Sequence, residues 1–334
     1  MTTSGKRIAR GTITNYLHVY NLLEVFESKS TDKLRVQLLH RAPMRTLQRE
    51  KNYWKRFFIH FSNFLYKEKK YYDNHVANVF KTIKTFFNYL QGEKGFIVGN
   101  YHKSFRIPLQ QATPVVILPQ QLNFLITNKE FETSLNPYLK RAKDIFVFGC
   151  TTGLRYSDLM SLKKTSIVLS NNEASLVLFT QKTNTEIKIP LPNYLLDIVH
   201  KYRRKAGRYI LPRLSSTNIN LQVKKLVKAA GWNYLFPKNL SRKGDMKEIK
   251  TQQGDSWRFY QHITAHTMRR TAITILLVMG VSEMMVRRIS GHAPGSKEFY
   301  KYVGIAQEYL NHEVRNAYKK LVELTSHIPI KATD

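Results

Sequence analysis

Residues 146–162 read FVFGCTTGLRYSDLMSL, and the way this stretch is punctuated decides how its surroundings are read. An apolar run broken off by two threonines and a glycine is how a buried helix ends, with Gly153 in the left-handed cap that residues with a side chain resist. The spacing predicts a helix from Tyr138 to Thr152. Ser157 stands where an N-cap is wanted and opens a short second helix through Leu162. Arg155 then falls in the tight connection between the two.

Three runs with β-type alternation come next: SIVLS at 166–170, SLVLFTQ at 175–181 and EIKIPL at 186–191. Lys182–Thr185 reads as the turn of a hairpin between the last two. Helical periodicity resumes at 193–205 and 217–230. A polar, Lys/Gly-rich segment covers 238–256, and a strong apolar helix follows from Thr267 to Met279, closed by Gly280. The fold class expected is mainly α with a small β-sheet, an α+β chain.

Upstream the reading is helical throughout. Tyr16, Val19, Tyr20, Leu23 and Phe26 recur at helical spacing. So do Trp54, Phe57, Phe58, Phe61, Phe64 and Leu65, and then Val76, Val79, Phe80, Ile83, Phe86, Phe87 and Leu90. Aromatic stripes confined to one helical face are core, not stacking platforms. Lys51, Lys55, Arg56, Lys67, Lys69 and Lys70 fall between the apolar positions and are the candidates for a DNA-facing side. Gly92, Gly95 and Gly99, then a poorly periodic stretch holding Pro108, Pro114 and Pro119, mark a boundary. The organisation expected is a helical domain over 1–103, a linker over 104–119, a second domain over 120–325 ending in a helix, and a tail over 326–334.

The charge balance narrows the function. Across 334 residues, 54 Lys and Arg face 23 Asp and Glu, a formal net charge of +31. The excess is spread, with 20 basic against 7 acidic residues in 1–110 and 34 against 16 beyond. A polyanion met by both parts is the partner such a chain suits, and nucleic acid is the default because each neutralised phosphate releases counterions. No apolar run approaches the ~18–20 residues needed to span a bilayer. The start, MTTSGKRIAR, lacks the apolar stretch of a secretion signal. The single cysteine, Cys150, permits no internal disulfide and reads as a buried, inert thiol.

Stock catalytic motifs are absent: there is no GxxxxGK[ST] loop, no GxSxG elbow and no HExxH. His262 and His266 lie four apart, yet no acidic or cysteine ligand completes a metal set, so no metal and no other cofactor is expected. What remains is a set of donors at punctuated positions: Arg155 after Gly153, Arg269 in HTMRR, His292 after Gly291, and Tyr300 and Tyr302 in EFYKY. Arginine suits bidentate contact with phosphate oxygens, histidine can donate or take a proton, and tyrosine is a nucleophile once cations lower its pKa from ~10. Taken singly, each has a plain structural explanation, such as an ion pair between Arg155 and Asp158.

Their joint order resembles the tyrosine site-specific recombinases, the family of phage integrases and related transposases. TTGLRYSDL, QKTNTEIKIPL, HTMRRT, SGH and FYKYV are similar to that family's GLR turn, hairpin lysine, H-x-x-R box, GH pair and nucleophile segment, over roughly residues 115–325. The resemblance implies a catalytic set of Arg155, Lys182, His266, Arg269, His292 and Tyr302. Tyr300, two residues closer to His292, is the alternative nucleophile, and Lys188 the alternative hairpin lysine. Asp158 is implied as a second layer that orients Arg155 or His266.

The same resemblance implies metal-independent cutting and rejoining of duplex DNA at specific sites through a 3′-phosphotyrosine, in integration, excision or transposition of a mobile element. It implies two domains closing as a clamp on double-stranded DNA, and a homo-tetramer on two DNA sites. The helix after Tyr302, with Ile305, Tyr309, Leu310, Val314, Tyr318, Leu321 and Val322 at helical spacing, would reach a neighbouring subunit, the alternative being that it packs within its own chain. A bundle starting near residue 11 leaves no room for a further N-terminal DNA-binding domain. The compartment expected is the bacterial or phage-host cytoplasm (nucleoid), or the nucleus in a eukaryote. The competing readings are a non-catalytic architectural DNA-binding protein and a metal-dependent transposase.

Overall fold

The computed structural model describes residues 8–110, 114–170, 173–179 and 186–325, with side chains to residue 321. The chain divides into two compact units. One comprises Met1–Ala112 together with Pro237–Ser256, the other Thr113–Phe236 together with Trp257–Asp334.

The first unit is built on α1 (Arg10–Glu27), α2 (Met44–Lys67) and α3 (Asp73–Gly92). The aromatic stripes meet at its centre, where Phe57, Phe61 and Phe80 are fully buried with Phe105. Phe26 packs edge-on to Phe57 and Phe61, and Phe80 edge-on to Phe61 and Phe105, the arrangement favoured by the ring quadrupole. Tyr16, Tyr20 and Phe86, which share the periodicity, are exposed. Phe105 belongs to this core, and Val116 and Ile117 are buried in the other unit. The connection is thus shorter than the stretch 104–119 read as linker, because apolar side chains at both its ends are drawn into the two cores.

The second unit contains α4 (Pro119–Thr127), α5 (Lys129–Ser134), α6 (Pro137–Thr152), α7 (Tyr156–Ser161), β1 (Ile167–Ser170), β2 (Glu173–Phe179), β3 (Glu186–Pro190), α8 (Asn193–Tyr202) and α9 (Ser216–Ala229). The three strands form an antiparallel sheet in sequence order. Leu176 lies opposite both Ile167 and Ile189 in its register. Leu176, Ile187 and Ile189 carry the buried face.

The polar segment after residue 237 is a hairpin, β4 (Lys238–Arg242) and β5 (Asp245–Ile249). It belongs to the first unit, although the sequence reading placed it within one domain spanning 120–325. The physical reason is Asp73, buried at the start of α3. Its Oδ1 accepts from the Tyr66 hydroxyl at 2.6 Å and from the Lys243 amide at 2.8 Å; its Oδ2 accepts from the Gly244 amide at 3.0 Å and from the Ser241 hydroxyl. Gln110 adds a bond from the Ser241 amide at 2.8 Å. Desolvation raises the Asp73 pKa, and the bonds from Ser241, Tyr66, Gly244 and Lys243 more than offset it, leaving the carboxyl below its ordinary value.

The second unit is completed by α10 (Phe259–His262), α11 (Ala265–Val278), α12 (Glu283–Ser290) and α13 (Lys297–Thr325). Helix α11 packs against α6 at unusually close range. A Cβ on Gly149 would lie 2.3 Å from Met268 Sδ and 2.9 Å from its Cβ, so the approach of the two helices requires glycine there. Cys150 lies in this interface, and burial pushes its thiol pKa well up.

Two local expectations are corrected. Ser157 is not an N-cap: α7 starts at Tyr156, Arg155 holds the cap position with extended backbone, and no side chain closes it. Helix α11 starts two residues earlier than expected, because extended Thr264 caps it through a reciprocal bond with Thr267.

Candidate active site

The close approach of α6 and α11 brings two arginines from distant stretches of sequence together. Gly153 ends α6 with φ 66°, and the turn it permits delivers Arg155 to the start of α7. Arg269 lies in the second turn of α11 and is buried, 4% exposed. Its guanidinium is held by backbone: Nη1 donates to Gly153 O at 2.9 Å, and Nη2 donates to Ser290 O. The carbonyl of the very glycine that terminates α6 therefore fixes the second arginine.

No carboxylate pairs with Arg269 among the described residues. Burial first, then the Arg155 charge, lowers its pKa to about 10, with Tyr302 and Asp158 acting in the opposite direction. Nη1 of Arg155 is buried with no hydrogen-bond partner among the described residues, and so is Nε of Arg270. Asp158 is buried in the first turn of α7.

Helix α12 ends at Ser290, and Gly291 with φ 62° reverses the chain. The amide of His292 reaches back to Arg287 O at 3.0 Å, which closes the helix in the six-to-one manner that a left-handed glycine allows. His292 is thereby set beside Arg269, with its Nδ1 at 2.8 Å from Ser290 Oγ and 3.5 Å from Arg269 Nη2. Burial, then Arg269, Arg155 and Arg287, lowers its pKa to about 4. His266, in the first turn of α11, is exposed. Desolvation of its ring and then the charges of Arg270, Arg269 and Arg155 hold its pKa below the usual value.

Tyr302 and Tyr300 part company here. Both lie on α13, which begins at Lys297 and so includes the tyrosines instead of following them. Tyr302 is 5% exposed and packs with Ile273, Val286 and Phe299, its ring 6.0 Å from that of His292 and steeply tilted. Tyr300 is 53% exposed and lies 4.9 Å from the Arg287 guanidinium.

Among the other expected site residues, Lys182 lies outside the described residues. Lys188 is exposed on β3, opposite Val177. In the first unit Lys51, Lys55, Lys67 and Lys70 are exposed and Lys69 half-buried. Arg56, also exposed, is paired at 2.9 Å with the fully buried Asp32.

A basic stretch in the second unit lies outside the expected site residues, although its Lys201 is paired with Glu132 at 2.9 Å and with Asp144 at 2.8 Å. Residues 198–236 hold nine Lys and Arg and no Asp or Glu. Within them the Tyr209 hydroxyl accepts from Arg208 at 3.0 Å and Arg213 at 3.4 Å. The signal was a run without acids, visible only when acids are mapped as well as bases. Among the described residues no group of three or more His, Cys, Asp or Glu is placed to hold a metal, and no helix is long and apolar enough to cross a membrane.

Residues 116–309 match the family described as the phage integrase family. The chain belongs to the phage integrase family. It is a tyrosine-type DNA strand-exchange recombinase, which disfavours the architectural and metal-dependent readings.

Solved structures with the same fold include XerH site-specific recombinase bound to palindromic difH in a post-cleavage complex (TM-score 0.58, 14% identity, 87% of this chain and 75% of that one). A second is a lambda integrase tetramer bound to a Holliday junction (0.55, 17%, 90% and 73%). A third is the Tn1549 transposon integrase in complex with circular intermediate DNA (0.54, 16%, 90% and 91%). No curated protein matches the sequence.

Proposed function

We propose that Arg155, Arg269 and His292 receive the scissile phosphate of duplex DNA and that Tyr302 attacks it. The observation that carries this is the buried Nη1 of Arg155, without a partner among the described residues, beside the buried Arg269 guanidinium, which is anchored by two carbonyls and by no carboxylate among the described residues. Burying a donor without a partner costs about 1–3 kcal/mol, and a ligand oxygen removes the cost. Two positive charges are held where negative charge grows on the non-bridging oxygens.

In the step proposed, the Tyr302 oxygen forms a bond to phosphorus and loses its proton to His266 or to solvent. The bond from phosphorus to the 5′ oxygen breaks, and Lys182 supplies the proton to the departing 5′-hydroxyl. A 5′-hydroxyl from a partner strand reverses the step. The phosphodiester energy is kept in the phosphotyrosyl bond, so the exchange needs no nucleotide. Asp158 is the positioning residue for Arg155.

The exposed lysines of α2 and the exposed Arg203, Arg204, Lys205, Arg208 and Arg213 support a duplex DNA partner for both units. Tetramer assembly on two sites is supported by α13. Its first turns are buried in cis, with Phe299, Tyr302 and Ala306 inside and Tyr309 accepting from Gln120 at 2.6 Å. Beyond them Leu310, Val314, Tyr318 and Leu321 form an exposed stripe suited to a neighbouring subunit. Mobile-element integration, excision or transposition is the biological use proposed.

The test is the covalent intermediate. The chain is expressed with its native flanking DNA, lysed in denaturant with EDTA, and assayed for protein-bound DNA. Wild type and Tyr300→Phe are expected to give an adduct, and Tyr302→Phe none. An adduct retained in Tyr302→Phe and lost in Tyr300→Phe moves the nucleophile. No adduct from a wild-type protein that still binds DNA removes the catalytic reading.

A further inference from the structure

Ser290 is fully buried at the last position of α12 and touches two members of the site through different atoms. Its carbonyl accepts from Arg269 Nη2, and its hydroxyl oxygen lies 2.8 Å from His292 Nδ1. The hydroxyl has one proton and three acceptors within reach, Val286 O at 2.6 Å, His292 Nδ1 at 2.8 Å and, at longer range, Arg287 O at 3.4 Å.

The guanidinium decides between them. Arg269 Nη2, a donor only, lies 3.5 Å from the same Nδ1. An N–H at Nδ1 would confront this cationic donor, whereas a lone pair there is attracted by it. With Nδ1 unprotonated, the Ser290 hydroxyl donates to it and the ring proton sits on Nε2. That nitrogen has no partner among the described residues, so its N–H is left for a ligand.

We propose that Ser290 is a positioning residue that fixes His292 as the neutral Nε2–H tautomer, so that the ring presents a donor, not a lone pair, to a phosphate oxygen. The second tie, through the carbonyl, couples the ring's setting to that of Arg269. A single residue then aligns two phosphate donors, one by its side chain and one by its backbone. This rests on the reading of His292 as a phosphate donor.

The two ties separate by mutation. Ser290→Ala removes the hydroxyl and keeps the carbonyl that holds Arg269; Ser290→Thr keeps both. The full-length proteins are compared by nitrogen-15 NMR of histidine side chains near pH 7.5, with the His292 signals assigned from their loss in His292→Gln. Cleavage is followed in parallel through adduct formation.

Wild type and Ser290→Thr are expected to show a protonated Nε2 and a bare Nδ1 at His292. In Ser290→Ala the two nitrogens are expected to move toward mixed values and cleavage to slow about tenfold, the worth of one neutral hydrogen bond, with DNA affinity unchanged. An unaltered His292 signature in Ser290→Ala overturns the proposal, whatever the rate does. So does a changed signature with wild-type cleavage, or a folded Ser290→Thr that behaves as Ser290→Ala. Failure of the wild-type protein to form any adduct overturns the function proposed above, while the NMR still decides the tautomer.

Discussion

The two units each bury a charge, and they treat it in opposite ways. Asp73 in the first unit has both oxygens filled, two donors on each, all from its own unit. The arginine pair in the second unit is left open among the described residues, with one guanidinium nitrogen buried without a partner and the other arginine held by carbonyls that do nothing to neutralise it. A buried charge with every lone pair satisfied is architecture. A buried charge whose hydrogen-bonding capacity is left over marks the place of something that arrives later.

If that contrast holds, Arg155→Ala is expected to slow adduct formation by ~10²–10³, about 3–4 kcal/mol of barrier, while shifting folding stability by no more than about 0.5 kcal/mol. A thermal melt and a cleavage time course on one preparation check both halves. A large stability loss would make Arg155 a structural residue like Asp73.

The mirror experiment is Asp73→Ala, which strands four donors. It is expected to destabilise the first unit by on the order of 3 kcal/mol, read from denaturant unfolding and from faster amide exchange at Lys243 and Gly244. Gly149→Ala comes next. With Met268 in the way of the new Cβ, α6 must move off α11, at a cost of ~1–3 kcal/mol. Cleavage is expected to fall as well, because Arg155 follows directly on the end of α6 and Arg269 is carried on α11.

The smallest effect is on acid stability. The His292 pKa is lowered to about 4 in the folded chain and lies near 6.5 when unfolded. The unfolded chain therefore takes up the proton first as pH falls. Its contribution to stability is present above about pH 6.5 and lost between there and about pH 4. Unfolding of His292→Gln is expected to vary less with pH across that window than wild type.

The sequence was most legible where punctuation was strong. Gly153 and Gly280 announced helix ends that the structure shows with positive φ, and Arg155, just after the first, lies in the site. The hairpin β4–β5 was illegible for a definable reason. Its strands, KNLSR and DMKEI, carry almost no β-branched residues, and its turn uses Lys243 and Gly244, both at positive φ, where Asn-Gly or Asp-Gly is the usual signal. What holds it is Asp73, some 170 positions away in the chain, a pairing no local pattern reveals. Arg56 shows the same limit. It read as one of several basic residues between apolar positions, yet Asp32 already engages it. Ser157 looked like a cap because serine favours that position, but the cap falls two residues earlier, at Arg155.

The hairpin also bears on how such a chain can be recombined with its relatives. A unit assembled from residues up to 112 and from 237–256 is not inherited as one contiguous block of gene. A crossover near codon 112 would install a foreign Asp73 pocket opposite a resident Ser241, Lys243 and Gly244, so exchange of the first unit succeeds only when both segments travel together or their contacts match. An engineer grafting a new N-terminal unit onto this catalytic unit has two pieces to move, and the shorter one lies inside the sequence of the domain meant to stay.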